Sequence, residues 1–193
     1  MNRIAALLLL SLTFVAQAAV SGSRIAPEHA RRMAQGAAAE ILDALARRDF
    51  GKLAAFVSEE GLAVSPYVML HDGTVRLSRS EIERCASDPQ ARHWGEMDGT
   101  GDPIEITCGR YFDEFVWTAD YRQADEVLYN EPRRRGNDIN NNHEFAPDGI
   151  VVEFHIRGKS SLLELDWKSL RLIFRNDDQG LSLIAITRDV WTI

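Results

Sequence analysis

The residues best suited to do chemistry in this sequence are two aspartates near its carboxyl end, Asp166 and Asp189. Apolar residues alternate along 170–174 and 181–185, and the polar loop Asn176–Gly180 between these stretches predicts a β-hairpin. Matching the two apolar faces sets the register of that hairpin. The predicted facing pairs are Phe174 and Leu181, Leu172 and Leu183, Leu170 and Ala185, Lys168 and Thr187, and Asp166 and Asp189.

Two carboxylates that face one another in a partly dry site cannot both ionise at low cost. Either one of them has a raised pKa or a cation bridges them. In a regular ladder the side chain of Arg171 lies on the opposite face of the strand and cannot be the bridging cation. A cation from elsewhere in the chain, such as Arg110, is then needed. The alternative is that the ladder frays before position 166. Asp166 is then a turn or cap residue, and Asp189 is bonded to backbone amides.

The common catalytic and metal-binding motifs do not occur in the sequence. No two of the five histidines have i,i+4 ligand spacing, and the HExxH, GxSxG, P-loop and GxGxxG patterns are missing. Residues 138–142 resemble the start of a calcium loop, but His143 and Gly149 stand where glycine and glutamate are needed, which favours a turn. We predict no metal and no cofactor. His155 alternates onto the polar side of its strand and is predicted to face solvent.

The elements that would position these residues are helices first and strands last, which is an α+β order. Ser78 and Glu81 fit a capping box, and Leu77 and Ile82 a hydrophobic staple, at the start of one helix. The predicted helices are 27–48, 49–58 and a segment from 78 that stops before Pro89. A glycine-rich loop over 94–103 precedes 104–117, whose pattern fits either a helix or a strand, and a short helix over 110–116 is favoured there. The predicted strands are a strand or hairpin within 62–74, then 151–157, 169–175 and 181–193.

Cys85 and Cys108 are the only cysteines. An even pair in an exported protein predicts a disulfide, and two buried free thiols are the alternative. Neither cysteine lies in a C-x-x-C motif, and two isolated cysteines cannot form a zinc site by themselves.

The first eighteen residues have the pattern of a secretory signal peptide. Arg3 precedes the apolar run 4–15, and small residues lead to a cleavage site that we place after Ala18. A membrane anchor is the alternative, but a bilayer span needs about 20 apolar residues. The remainder, 19–193, has the length of one domain and is predicted to be soluble, in the periplasm or outside the cell.

The net charge of −7 argues against a nucleic-acid partner. The only basic run is Arg133–Arg135, which we interpret as a solvated loop, with contact to an anionic ligand as the alternative.

Four stretches of the chain carry a family resemblance: Trp94–Ile104, Arg135–Asn141, Asp166–Leu172 and the ending Asp189–Ile193. They resemble a group of exported bacterial proteins in the nuclear transport factor 2-like superfamily. The resemblance implies a cone of sheet closed by helices. It implies no particular activity, because that superfamily contains both enzymes and non-catalytic modules.

In such a cone, aromatic side chains would line the mouth of a cavity between helices and sheet, although core packing is the alternative for each. We expect Asp189 to point into that cavity and to be the most functionally sensitive acid. The candidate aromatic residues are Tyr67, Tyr111, Trp117, Tyr121, Tyr129, Trp167 and Trp191. The predicted ligand-binding residues are Asp189, Trp191, Trp167, Tyr67, Tyr111 and Tyr121.

Two functions are consistent with this sequence. The favoured one is a non-catalytic exported module that binds a small molecule, an envelope fragment or a protein. The other is a small cofactor-free isomerase, dehydratase or hydrolase with Asp189 or Asp166 as general base. A homodimer through the outer side of the sheet is a further expectation.

Overall fold

The computed structural model describes residues 24–177 and 180–191, and the predicted signal peptide lies outside them. The predicted α+β class is confirmed, since helices pack on a curved, mostly antiparallel sheet of six strands that does not close. No helix in the described part of the chain is long and apolar enough to cross a membrane.

The helical layer is built from the two N-terminal helices, α1 (Pro27–Arg47) and α2 (Phe50–Phe56). Both were predicted within two residues at each end. Ala30, Ala34 and Ala38 form the buried seam of α1, and these small side chains let the helix approach the sheet closely. The third helix, α3 (Arg79–Arg84), begins at the predicted capping box, where Ser78 and Glu81 satisfy each other's backbone amides.

The six-stranded sheet has the order β2-β1-β8-β7-β6-β5, and every pairing in it is antiparallel except β1 with β8. Its strands are β1 (Leu62–Ser65), β2 (Val75–Leu77), β5 (Glu126–Tyr129), β6 (Ile150–Ile156), β7 (Lys168–Asp177) and β8 (Gly180–Val190). A strand or hairpin was predicted over 62–74, and β1 lies within that range, whereas β2 begins just after it. The parallel pairing of β1 with the last strand was not predicted, because it joins distant parts of the chain.

A separate two-stranded hairpin replaces part of the predicted glycine-rich loop. Its strands are β3 (Ala91–Glu96) and β4 (Pro103–Thr107), so Trp94 and Gly95 lie in a strand. After β4 come α4 (Cys108–Tyr111) and a π-helical turn, Phe112–Val116, in the region predicted as a short helix. Cys85 and Cys108 form the predicted disulfide, with their Cα atoms 5.0 Å apart.

Both sides of the sheet are covered, which the sequence pattern did not indicate. On the helix side, Leu172, Val152 and Ile186 belong to the main core with α1 and α2. On the outer side, a second apolar cluster joins Ile173 and Ala185 to Ala146, just after the short helix α5 (Asn142–Phe145). The outer side, which we expected to be available for a homodimer, is therefore partly occupied by the chain's own residues.

Asparagine side chains fasten this outer segment to the sheet. The Asn141 side chain exchanges two hydrogen bonds with the backbone of Leu70, at 2.9 and 2.7 Å. The Asn142 amide donates to the carbonyl oxygen of Val68 at 2.7 Å and accepts from the Thr187 hydroxyl at 3.0 Å. The calcium-like asparagine run thus makes structural hydrogen bonds.

The predicted register of the last hairpin is wrong. On the turn side Phe174 faces Leu183 where Leu181 was predicted, and a β-bulge then interrupts the pairing of β7 with β8. Ile173 faces Ala185, but the next residue, Phe174, faces Leu183, which leaves Ile184 as the extra residue. One extra residue changes the parity of the rest of the strand. Beyond the bulge the observed pairs are Leu172 with Ile186, Arg171 with Thr187, Leu170 with Arg188, Ser169 with Asp189 and Lys168 with Val190.

Candidate functional site

Asp189 lies on the outer side of the sheet, which corrects the prediction that it points into a cavity beneath the helices. The bulge puts it opposite Ser169 and on the same side as Arg171. Asp166 is not its partner, because Asp166 precedes β7 and accepts a hydrogen bond from the backbone amide of Lys159 at 2.6 Å. Arg110 also plays no part here and pairs with Glu114.

The partner of Asp189 is Arg171, the residue that the regular ladder had excluded. The Arg171 Nη2 atom lies 3.0 Å from Asp189 Oδ2 and 3.3 Å from Glu153 Oε1. Arg171 is 1% exposed, and the two carboxylates are each 4% exposed. Side chains this deeply buried must be paired to remain charged, so the three residues act as one unit.

Arg135 extends this cluster toward the surface. Its Nε atom lies 2.9 Å from Glu153 Oε1, and its Nη2 atom contacts Glu126. Arg133 pairs with the same Glu126. The arginine run that we interpreted as a solvated loop is therefore partly structural, since two of its three members form ion pairs with acids of β5 and β6.

A pocket of about 570 Å³ opens above this cluster, between residues 132–144 and the end of β8. We call it the Asp189 pocket. It is lined by Arg24, Pro132, Arg133, Arg134, Arg135, Asn137, Asp138, Ile139, Asn140, His143, Glu144 and Asp189. Within the described residues, the Oδ1 atom of Asp189 is buried and receives no hydrogen bond. A buried acceptor without a donor costs free energy, so this atom is suited to a ligand that brings one.

Burial perturbs the titration of several groups in this pocket. It raises the pKa of Asp189, although the neighbouring Arg171 guanidinium acts in the opposite direction. Burial also raises the pKa of Asp138, and repulsion by the Asp98 carboxylate raises it further. The pKa of His143 falls from 6.5 to about 4, chiefly because burial disfavours the imidazolium and secondarily because Arg24 repels it. His143 is therefore neutral at pH 7.

The lowered pKa of His143 predicts a loss of stability on acidification. The folded chain binds this proton only near pH 4, whereas the unfolded chain binds it near 6.5, so the free energy of unfolding falls as the pH drops through that window. Urea denaturation at pH 7 and pH 5 should show a smaller loss for His143→Asn than for the natural chain. His29→Asn, on the exposed face of α1, should retain the full loss. Equal losses in all three would contradict this prediction.

Two of the predicted ligand-binding aromatic residues are core side chains. Tyr111 is fully buried and stacks between Trp94, at 4.0 Å between ring centroids, and Phe115, at 5.4 Å. Tyr121 is also fully buried, and its hydroxyl is 3.0 Å from that of Thr118. These rings fill space between the helical layer and the sheet, where the cavity was expected.

The other predicted aromatic residues lie apart from one another. Tyr67 is half-buried and lines a cavity of about 390 Å³ beside Trp94, where its hydroxyl donates to the carbonyl oxygen of Glu96. Trp167 lines a different pocket, described below, and Trp191 is 42% exposed. The structure therefore does not bring the predicted ligand-binding set together around Asp189.

Sequence reasoning missed most of the Asp189 pocket. Arg135 and His143 were both noticed, one as part of a solvated run and the other as a misfit in a calcium loop. No spacing rule links them to Asp189, since they are more than 40 residues away in the chain. The available signal was the polar segment 135–142 itself, one of the stretches that carry the family resemblance.

No protein-family model and no curated protein sequence matches the chain. Among solved structures it is similar to a designed nuclear transport factor 2 protein (11% identity, TM-score 0.35, covering 80% of this chain and 95% of that one). It is also similar to a Xanthomonas campestris protein described as a calcium/calmodulin-dependent protein kinase II association domain (16% identity, TM-score 0.34, 81% and 83% covered). A third is a Streptomyces avermitilis protein described as a dehydratase of the nuclear transport factor 2-like family (11% identity, TM-score 0.31, 87% and 99% covered). All three TM-scores are below 0.5, so these similarities say nothing about activity or binding in this chain.

Proposed function

We propose that this chain is an exported, non-catalytic module that binds a small polar ligand in the Asp189 pocket. The observation that carries the proposal is that Asp189 lines the pocket and that its buried Oδ1 atom has no donor among the described residues. A hydroxyl or amino group of a ligand would supply the missing hydrogen bond.

The ion pairs behind Asp189 support binding because they hold the carboxylate in one position. Arg171 contacts both Asp189 and Glu153, and Glu153 is in turn held by Arg135. Because the carboxylate is already held in place, little binding free energy is lost in ordering it when a ligand binds. The cluster therefore gives the pocket a rigid wall, while the exposed residues Arg134, Ile139 and Glu144 leave its mouth open to water.

Access to water favours binding over chemistry, because general acid–base catalysis gains most in sites that exclude solvent. The second candidate is nevertheless supported by a specific observation. Asp189, Asp138 and His143 line one pocket, and burial shifts the pKa of each. In a small cofactor-free isomerase, dehydratase or hydrolase, Asp189 would be the general base.

Export is part of the proposal and rests on the signal-like N-terminus. The Cys85–Cys108 disulfide supports it, since disulfides persist in oxidising compartments. N-terminal sequencing of the protein recovered from the periplasm or medium should give a chain that starts at Ala19. Recovery of an intact N-terminus in the cytoplasmic fraction would contradict export.

We expect Asp189→Asn to weaken ligand retention strongly. Native mass spectrometry of the protein purified from its own envelope should show a small-molecule adduct on the natural chain, reduced about tenfold or more in Asp189→Asn, because the variant loses the charged acceptor. Asp148→Asn, an exposed acid outside the pocket, is the matched control and should retain the adduct.

The fate of the bound molecule separates the two candidate functions. Returning the isolated molecule to fresh protein should leave it unchanged if the module only binds it. Conversion of the molecule by the natural chain but not by Asp189→Asn would establish the enzymatic alternative. An adduct of equal intensity on both chains would overturn the assignment of the Asp189 pocket.

A further inference from the structure

A second polar chain of residues on the outer side of the sheet leads away from the Asp189 pocket. His155 was predicted to face solvent, but it is 8% exposed. Its Nδ1 atom lies 2.9 Å from the Ser169 hydroxyl, which donates a hydrogen bond to Glu153 Oε1 at 2.9 Å. The outer side is covered here too, and so the polar face of β6 became a buried hydrogen-bonded network.

The direction of these hydrogen bonds determines the tautomer of His155. Glu153 is held by the guanidinium groups of Arg135 and Arg171, so it is a carboxylate and can only accept. Ser169 has one hydroxyl proton and gives it to Glu153. The Ser169 oxygen must then accept from His155, which puts the proton on Nδ1 and leaves a lone pair on Nε2.

His155 lines a pocket of about 300 Å³ together with Trp167, which we call the Trp167 pocket. Its other walls are Arg134, Arg135, Arg157, Gly158 and Glu164. Gly158 is needed for this shape, because a Cβ atom there would lie 2.2 Å from the carbonyl oxygen of Glu164. The His155 ring is tilted against the Trp167 ring, with their centroids 5.8 Å apart.

The charge of the Trp167 pocket favours an anion. Arg135 is neutralised by Glu126 and Glu153, whereas Arg134 and Arg157 form no ion pair among the described residues. These two guanidinium groups outnumber the single lining carboxylate, Glu164. Burial lowers the pKa of His155, with a further contribution from Arg135, so the ring is neutral at pH 7 and its Nε2 atom can accept.

We propose that the Trp167 pocket is a second binding site and that its ligand is an acidic sugar. It shares Arg134 and Arg135 with the Asp189 pocket, whereas His155, Trp167 and Arg157 line it alone. The flat face of Trp167 packs on the ring, Nε2 of His155 accepts from a ring hydroxyl, and Arg134 and Arg157 bind the carboxylate. A neutral sugar lacks the anion for the arginines, and a simple carboxylate lacks the ring and hydroxyl for Trp167 and His155.

Titration calorimetry with D-glucuronate, D-glucose and acetate tests this assignment at low salt. Glucuronate should bind, and glucose and acetate should each bind at least about tenfold more weakly. Because the arginines are exposed, binding should weaken as sodium chloride is added. Equal binding of all three probes, or no binding of glucuronate, would overturn the proposal.

Variants that keep the fold identify the groups involved. His155→Asn retains a side-chain donor for Ser169 but loses the Nε2 acceptor, and should weaken glucuronate binding about tenfold. Trp167→Leu should weaken binding, whereas the separate variant Trp167→Phe, which keeps an aromatic ring, should retain most of the affinity. Arg157→Gln should weaken binding several-fold, whereas Arg175→Gln, an exposed arginine paired with Glu60 outside the pocket, should not. Unchanged affinity in His155→Asn and Trp167→Leu would overturn the site.

A measurement on the natural chain avoids dependence on variants. Long-range proton–nitrogen NMR of histidine-labelled protein should show His155 with a protonated Nδ1 and an unprotonated Nε2, and the Nε2 signal should shift when glucuronate is added. A proton on Nε2 in the free protein would overturn the proposed acceptor.

Asp189→Asn separates this proposal from the proposed function. If the variant loses the envelope adduct but still binds glucuronate, the two ligands bind at two different sites.

Discussion

Exchanging Arg171 for methionine is expected to lower the free energy of unfolding by about 3–5 kcal/mol. The reason is that the change leaves the carboxylates of Asp189 and Glu153 buried without the cation that they share. Both acids are 4% exposed, so water cannot replace the guanidinium group. Urea denaturation at neutral pH measures the loss, and an unchanged m-value would show that the unfolding reaction itself is the same.

Arg175→Met is the matched control for Arg171→Met, because Arg175 lies on the same strand and pairs with Glu60. These two side chains are 43% and 65% exposed, and the loss should be no more than about 1 kcal/mol. Adding Asp189→Leu to Arg171→Met should restore much of the stability, because Glu153 still has Arg135 as its partner. A loss below about 1 kcal/mol for Arg171→Met itself would contradict the assigned role of the cluster.

Removing the disulfide is expected to lower the free energy of unfolding by about 3 kcal/mol, since the cross-link no longer restricts the unfolded chain. The bridge spans 23 positions and joins the end of α3 to the start of α4, and both cysteines are buried. Urea denaturation of the double variant Cys85→Ala, Cys108→Ala measures the effect.

Reduction provides the control for the disulfide. A reducing agent should destabilise the natural chain by a similar amount and leave the double variant unchanged, which separates the loss of the cross-link from the loss of packing. Two free thiols in the unreduced, denatured protein would contradict the bridge altogether.

The Asp189 site was predicted only in part. Asp189 was predicted from the sequence to be the most functionally sensitive acid, and it does line a pocket. Its predicted face was wrong because of the bulge at Ile184. Its predicted partner was wrong also because the register differs by two residues at the turn, where Phe174 faces Leu183, and because Asp166 precedes β7. The alternation of side chains predicts which residues share a face only where the strand pairing is regular. Nothing in the mostly apolar stretch 181–186 indicates where a bulge would insert an extra residue.

His155 shows a second limit of sequence reasoning. Alternation correctly put Glu153 and His155 on the side opposite Val152 and Phe154. The inference that this side faces water was wrong, because both residues are buried. Polar residues at alternate positions are typical of a strand face that is exposed to solvent. They also occur on a buried face where a second layer of the chain provides hydrogen-bond partners for them.

Local sequence patterns were enough to predict the features that depend on neighbours along the chain. These are the helices of 27–58 from their apolar spacing, the start of α3 from the Ser78 capping box, and the disulfide from a single pair of cysteines. Three features could be found only from the folded chain: β1 pairs with β8, residues 135–146 cover part of the outer side of the sheet, and Arg171 neutralises Asp189. Each of these contacts joins residues that are close in space and not covalently near, and its free energy depends on what else is buried around it.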